Sequence, residues 1–110
     1  MNRTTALLAL LLAALLEAGG DALVRAGLHG SHHWGRAALL ASGAIVLFAY
    51  GITVNTPAWD FGRLLGLYVV FFFVVAQVIS WLAFGQPPTR LTLAGGTLIV
   101  LGGLLLSFGT

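Results

Sequence analysis

Glu17 is the residue whose type and position point most directly to chemistry. It lies near the middle of a long apolar segment over 4–28, roughly 17 Å from each end at 1.5 Å per residue. A glutamate at this depth cannot reach water, and an acid at the bilayer centre costs roughly 2.5 to 3.5 kcal/mol. We therefore expect Glu17 to bind protons or a cation in a watery cavity. The alternative is a neutral glutamate hydrogen-bonded to a neighbouring helix.

Asp21 and Arg25 follow Glu17 at successive steps of four residues. On a helix this spacing places the three side chains in one polar stripe, which must point inward from lipid. The stripe has two interpretations. In the first, Asp21 and Arg25 form an ion pair near the interface. In the second, Asp21 is a further proton or cation site coupled to Glu17.

Other kinds of site are not indicated. His29, His32 and His33 cluster between two apolar segments, but no nearby acid or cysteine completes a set of metal ligands. No nucleophile, phosphate-binding loop or hydrolytic pair of acids occurs. We predict that the chain is not an enzyme and holds neither a metal nor a cofactor.

The composition predicts the elements that must position Glu17. Of the 110 residues, 59% are hydrophobic and 7% are charged, against roughly 25% charged in soluble domains. Polar residues, glycine and proline separate four apolar segments, which predict an all-α membrane protein with one domain over 1–110 and spans at 4–28, 35–54, 61–84 and 91–108. A net charge of +2 without a basic run excludes a nucleic-acid surface.

The short connections predict a four-helix bundle in which consecutive helices are antiparallel neighbours. Arginines are nearly balanced between the two ends: Arg3 and Arg63 lie on the side of the termini, and Arg25, Arg36 and Arg90 lie on the other. The positive-inside rule therefore predicts no strong preference for one orientation of the chain in the membrane. Such a chain can insert both ways, as an antiparallel homodimer requires; one fixed orientation is the alternative.

Glycines form a second pattern in the last span. Gly95 and Gly102 are seven residues apart, and so are Gly96 and Gly103. A stripe of small residues lets helix backbones approach closely, which drives association in lipid. We predict a dimer contact through these four glycines, the alternative being packing within one chain.

With these residues placed, the chain resembles the small multidrug resistance family of the drug/metabolite transporter superfamily. The resemblance spans the four segments and the glycine spacing of the last one. Its motif residues lie in the first and third spans: Glu17, Gly20, Arg25, Ser80, Trp81, Phe84, Gly85 and Gln86. The third span opens like that of the YnfA branch, with Phe61, Gly62, Arg63 and then Tyr68.

The resemblance implies a role for Glu17 and Tyr68. In the family the glutamate of the first span is shared by two antiparallel protomers and binds either protons or a cationic substrate. By resemblance Glu17 takes that role, and Tyr68 lines the pocket, where its ring can contact a cation.

The chain also departs from the well-known exporters. Leu65 stands where they have a binding tyrosine, and Asp21 replaces a small hydroxyl residue. These changes favour a smaller or more polar cation, such as a guanidinium or a polyamine. Arg63 is expected to pair with Asp60 or to gate access, unless it simply extends to the headgroups.

The expected function is proton-coupled export of small organic cations by alternating access, in a homodimer of the bacterial inner (plasma) membrane. Expected partners are membrane lipids, a second copy and the cationic substrate, with no nucleic acid. The alternative is a non-transporting accessory or scaffold protein on the same bundle. One half of a heterodimer is a further alternative, which the balanced arginines do not favour.

Overall fold

The computed structural model describes residues 1–108. Within them the chain forms four α-helices and no strand: α1 (Arg3–Leu28), α2 (His33–Val54), α3 (Phe61–Phe84) and α4 (Arg90–Ser107). Each helix is long and apolar enough to cross a membrane. The prediction of an all-α protein with four spans is confirmed.

Side-chain caps fix three of the helix starts. Asn2, His32 and Thr89 each accept a hydrogen bond from the backbone N–H three residues further on, at 2.8, 3.5 and 3.1 Å. Such caps satisfy backbone donors that the first helical turn leaves without a partner. His32 therefore begins α2 slightly earlier than the span predicted from hydropathy.

Gly85 ends α3. Its φ of 63° and ψ of 30° lie in the left-handed region, which glycine adopts without steric cost. The Gly85 N–H donates to the Trp81 carbonyl at 3.1 Å, and the Gln86 N–H donates to the Ser80 carbonyl at 3.0 Å. This is a Schellman arrangement, and it holds Gln86 against the last turn of α3.

The helices lie in the order α2, α1, α3, α4. Within residues 1–108, α1 packs against both α2 and α3, and α4 packs against α3. α2 packs mainly against α1, and it also meets α3 where the ring centroids of Tyr50 and Tyr68 lie 5.7 Å apart. The molecule is a flattened layer, with extents of 48 × 34 × 19 Å.

Glycines allow the closest helix contacts. A Cβ on Gly20 would lie 2.8 Å from the Leu47 side chain, and one on Gly43 would lie 3.0 Å from the Gly20 carbonyl. On α4, a Cβ on Gly96 would lie 2.5 Å from Phe73, and one on Gly103 would meet Val70. Small residues thus join α1 to α2 and α3 to α4 within one chain.

The core lies mainly between α1 and α3. Its buried members on these two helices include Leu10, Ala14, Leu64 and Tyr68. Large apolar side chains elsewhere on the surface are exposed along all four helices. Because the helices span a membrane, this exposed apolar surface contacts lipid.

Candidate functional site

Glu17 and Tyr68 meet at the interface of α1 and α3. The Tyr68 hydroxyl donates a hydrogen bond of 2.7 Å to Glu17 Oε1. Glu17 is half-buried, and Tyr68 is buried at 4% exposure. One oxygen of the carboxyl therefore has a polar partner on another helix, which is how membrane proteins accommodate an acid in a spanning segment.

Three aromatic rings extend from this hydrogen bond. The ring centroids of Tyr50 and Tyr68 are 5.7 Å apart, and those of Tyr68 and Phe72 are 6.2 Å apart. Both pairs are tilted by 32°. Tyr50 comes from α2, so side chains of three helices converge near Glu17. Their π faces are suited to contact with a cation.

A groove begins at Ala18, the residue after Glu17, and follows the interface of α1 and α3. It forms an open pocket of about 250 Å³, lined on α1 by Ala18, Asp21, Ala22 and Arg25. Asp21 and Arg25 are exposed where the groove opens. The polar stripe predicted on α1 therefore runs from a half-buried acid to two accessible charges.

Arg25 lies against an aromatic ring. Its guanidinium carbon is 5.4 Å from the centroid of Phe84, which is a cation–π geometry. In the described part of the chain no ion pair joins Arg25 to Asp21. The Phe84 ring at the end of α3 thus offers Arg25 a partner that neither interpretation of the stripe included, and both interpretations stay predictions.

Ser80 and Gln86 line the groove near Phe84. The Ser80 hydroxyl lies 3.2 Å from Gln86 Oε1 and 3.3 Å from the Gln86 carbonyl oxygen, and can donate to either. Together with the left-handed turn at Gly85, these contacts fix the Gln86 side chain. Its amide nitrogen supplies donors beside the charged end of the groove.

The remaining predicted residues lie away from this groove. Arg63 is half-buried in the first turn of α3, and Leu65 packs against the core one turn before Tyr68. Among the histidines, His32 caps α2 and His33 makes an edge contact with Trp34, with ring centroids 5.7 Å apart. Residues 1–108 contain no group of three or more potential ligands arranged for a metal.

The four glycines predicted at a dimer contact lie on two faces of α4. Gly96 and Gly103 are buried against Phe73 and Val70 of α3. At Gly95 and Gly102, a Cβ would have no neighbouring side chain or other helix within 4 Å. Gly96 and Gly103 therefore pack within the chain, which is the alternative given above to a dimer contact. Gly95 and Gly102 leave an open face on α4.

Three features of the site were not predicted from the sequence. They are Tyr50, Phe72 and the contact of Phe84 with Arg25. The sequence holds only two tyrosines, so the position of Tyr50 within the second span could have indicated that it lies near the site. Phe72 lies one turn after Tyr68 on α3 and hence on the same face. The contact between Arg25 and Phe84 joins two helices and has no local pattern.

Comparison with known proteins gives one partial similarity. The chain is 32% identical over 68 residues to a UPF0060 membrane protein of Herpetosiphon aurantiacus. The match covers 60% of this chain and 62% of the length of that relative. No family model matches the chain, and no solved structure matches it.

These comparisons bear on location more than on activity. The relative is described as a membrane protein, and this chain has four helices able to cross a membrane. The chain is a multi-pass integral membrane protein that resembles a UPF0060 membrane protein over part of its length.

Proposed function

We propose that the protein is a proton-coupled transporter that exports small organic cations by alternating access around Glu17. The observation that carries this proposal is the 2.7 Å hydrogen bond from the Tyr68 hydroxyl to Glu17 Oε1, near the middle of α1. A carboxyl in a spanning helix with an inward-facing partner is typical of proton and substrate pathways.

The hydrogen bond suits an exchange of ligands. A hydroxyl that donates to a carboxylate stabilises its ionised form, which is the form that attracts a cation. A proton on Glu17 removes that attraction and releases the cation, so the two ligands compete. Tyr68 can hold the carboxyl in place through both steps, since its hydroxyl also accepts a hydrogen bond.

The aromatic side chains favour a cationic substrate. Tyr50, Tyr68 and Phe72 present adjacent rings beside Glu17. A cation near Glu17 then gains both charge neutralisation and contact with π faces. Leu65 stands where the exporters that the chain resembles have a binding tyrosine, and Asp21 adds an acid. Both differences favour a small, polar cation, such as a guanidinium or a polyamine, as the substrate.

A homodimer belongs to this proposal. The flattened layer is only 19 Å in its smallest extent, and Glu17 is only half-buried within it. A second chain, inserted in the opposite orientation, would close the site from the other side. The open face at Gly95 and Gly102 is suited to that contact, because small residues allow close approach of two helices.

The experiment is a transport assay with purified protein in liposomes. Proton-coupled currents are recorded on a solid-supported membrane for methylguanidinium, putrescine and tetraphenylphosphonium. We expect currents for the first two cations. Glu17→Gln should abolish them, because the amide keeps the shape of the side chain but neither ionises nor exchanges a proton.

Asp60→Asn is the matched control. Asp60 is an exposed acid preceding α3 and makes no side-chain cap hydrogen bond, so the variant should retain the currents. If the panel gives no current with wild-type protein, or if Glu17→Gln transports equally well, the exporter proposal fails. A non-transporting scaffold, with Glu17 as a structural residue, would then account better for the chain.

A further inference from the structure

The charged end of the groove holds an arginine and an amide, Arg25 and Gln86, which cation exchange at Glu17 does not use. Asp21 and Arg25 are one helical turn apart on α1, roughly 5 to 6 Å along the surface. Charges at this spacing usually attract each other. Here the Arg25 guanidinium lies 5.4 Å from the centroid of the Phe84 ring instead, and both charges face the same cavity of about 250 Å³.

The contact with Phe84 orients Arg25 for an anion. Contact between a guanidinium and an aromatic ring engages the π system and leaves the N–H donors around the rim of the group. Within residues 1–108 no side-chain hydrogen bond from Arg25 is formed. The planar arrangement of these donors matches the two oxygens of a carboxylate or phosphate.

Gln86 adds neutral donors at the same end. Ser80 lies within hydrogen-bonding distance of Gln86 Oε1, which leaves the amide N–H groups of Gln86 for a ligand. Arg25 and Gln86 therefore form an anion-binding end. Asp21 offers an acceptor-only carboxylate on the same cavity, and it forms the cation-binding end.

The depth of these groups supports a ligand with both charges. Arg25 lies in the last turn of α1, and Asp21 lies about one turn deeper. Because Arg25 contacts Phe84 here, a ligand that neutralises both charges and adds no net charge would stabilise them at the edge of a bilayer. A volume of about 250 Å³ admits a small molecule or a lipid headgroup.

We propose that the groove between α1 and α3 binds a small zwitterion, with its ammonium group at Asp21 and its carboxylate or phosphate at Arg25 and Gln86. The ligand is either a free solute, such as an amino acid with a short spacer, or the phosphoethanolamine headgroup of a lipid. This binding is separate from cation exchange at Glu17 and requires no transport.

The free-solute experiment measures binding by isothermal titration to the protein in phosphatidylglycerol nanodiscs. The probes are γ-aminobutyrate, whose charges are separated by three methylene groups, and butylamine, which lacks the carboxylate. We expect γ-aminobutyrate to bind at least tenfold more tightly than butylamine. The comparison is made with wild-type protein and with Glu17→Gln, because butylamine is itself a small organic cation and would also bind at Glu17. The preference should be the same or larger in the variant. Butylamine counts against the zwitterion site only where it binds the variant as tightly as γ-aminobutyrate does.

The variants assign the two ends. Arg25→Gln should remove the tenfold preference while leaving butylamine binding unchanged, and Arg25→Lys should restore part of the preference. Asp21→Asn should weaken both ligands. Arg90→Gln is the matched control, because Arg90 is an exposed arginine outside the groove at the start of α4. This control should bind as wild type does.

The lipid experiment uses protein released from vesicles of equal phosphatidylethanolamine and phosphatidylglycerol. Native mass spectrometry should find phosphatidylethanolamine retained in excess by wild type but not by Arg25→Gln. A positive result in either experiment supports the zwitterion site and identifies its source. If butylamine binds Glu17→Gln as tightly as γ-aminobutyrate does and no phosphatidylethanolamine is retained in excess, the proposal is overturned, whatever the transport assay shows.

Discussion

At the scale of single residues, Glu17 and Tyr68 are 51 positions apart in sequence and share one hydrogen bond. Position within an apolar segment indicated Glu17, and resemblance alone indicated Tyr68. Neither signal predicted that the two side chains meet directly. Their proposed roles in proton and cation binding therefore require separate tests of the hydroxyl and of the carboxyl.

Tyr68→Phe tests the hydroxyl. The ring and its packing remain, but the donor to Glu17 is lost, and hydrogen bonds to charged groups contribute about 1.5–3 kcal/mol. We expect binding of methylguanidinium at Glu17, measured by titration calorimetry, to weaken about tenfold or more. The thermal unfolding midpoint of the ligand-free protein, measured at the same pH, separates this loss of binding from any loss of stability.

Ser42→Ala is the control for loss of a hydroxyl. Ser42 is exposed on α2 and donates only to the Ala38 carbonyl of its own helix, at 2.8 Å. Its removal should leave cation binding unchanged. Equal cation affinity in Tyr68→Phe and wild type would contradict the role assigned to the Tyr68 hydroxyl.

At the scale of helices, composition predicted the four spans but not their order. Every face of a spanning helix can contact lipid, so hydrophobicity does not specify which helices are neighbours. Gly20, Gly27 and Gly43 mark the contact of α1 with α2, and the seven-residue spacing of Gly20 and Gly27 was visible in the sequence. A helix contact was predicted from such a spacing only for α4.

Gly43→Val tests the contact between α1 and α2. A Cβ at this position would lie 2.6 Å from the Val24 side chain and 3.0 Å from the Gly20 carbonyl. Overpacking of this kind costs about 1–3 kcal/mol. We expect the free energy of unfolding in detergent micelles to fall by about that amount.

Gly51→Val on the same helix is the matched control, because the added Cβ would meet no neighbouring side chain or other helix within 4 Å. The two variants share the change in helix propensity and differ in packing. Equal unfolding free energies would show that α1 and α2 do not pack closely through Gly43.

At the scale of the whole molecule, the flattened layer of 48 × 34 × 19 Å is the feature on which the proposed homodimer rests. Composition predicted the membrane and the number of spans because those follow from segment length. The groove and its cation–π contact were not predicted, because they depend on which helices become neighbours. The assembly of two chains stays a prediction at this scale.

Gly102→Leu tests the homodimer. Gly102 faces open space, whereas a side chain at Gly103 would meet Val70. We expect Gly102→Leu to raise the dimer dissociation constant about tenfold or more, measured by energy transfer between labelled chains on dilution in lipid. Its unfolding as a monomer should resemble that of wild type.

Two further variants complete this comparison. Gly103→Leu should destabilise the monomer, and Gly51→Leu, at another open glycine, should affect neither property. If Gly102→Leu dimerises as wild type does, the dimer does not use this face of α4, and the proposed closure of the Glu17 site needs another contact.

The sequence separation of Glu17 and Tyr68 also constrains biosynthesis. Ribosomes add roughly 5–20 residues per second, so the 51 residues between the two side chains take about 3–10 s to synthesise. During that interval α1 and α2 can enter the membrane before α3 exists. Glu17 must then cross the insertion machinery without its hydroxyl partner, and the neutral acid is the form that lipid accepts at lowest cost. A proton on Glu17 would therefore lower the cost of inserting the nascent first hairpin.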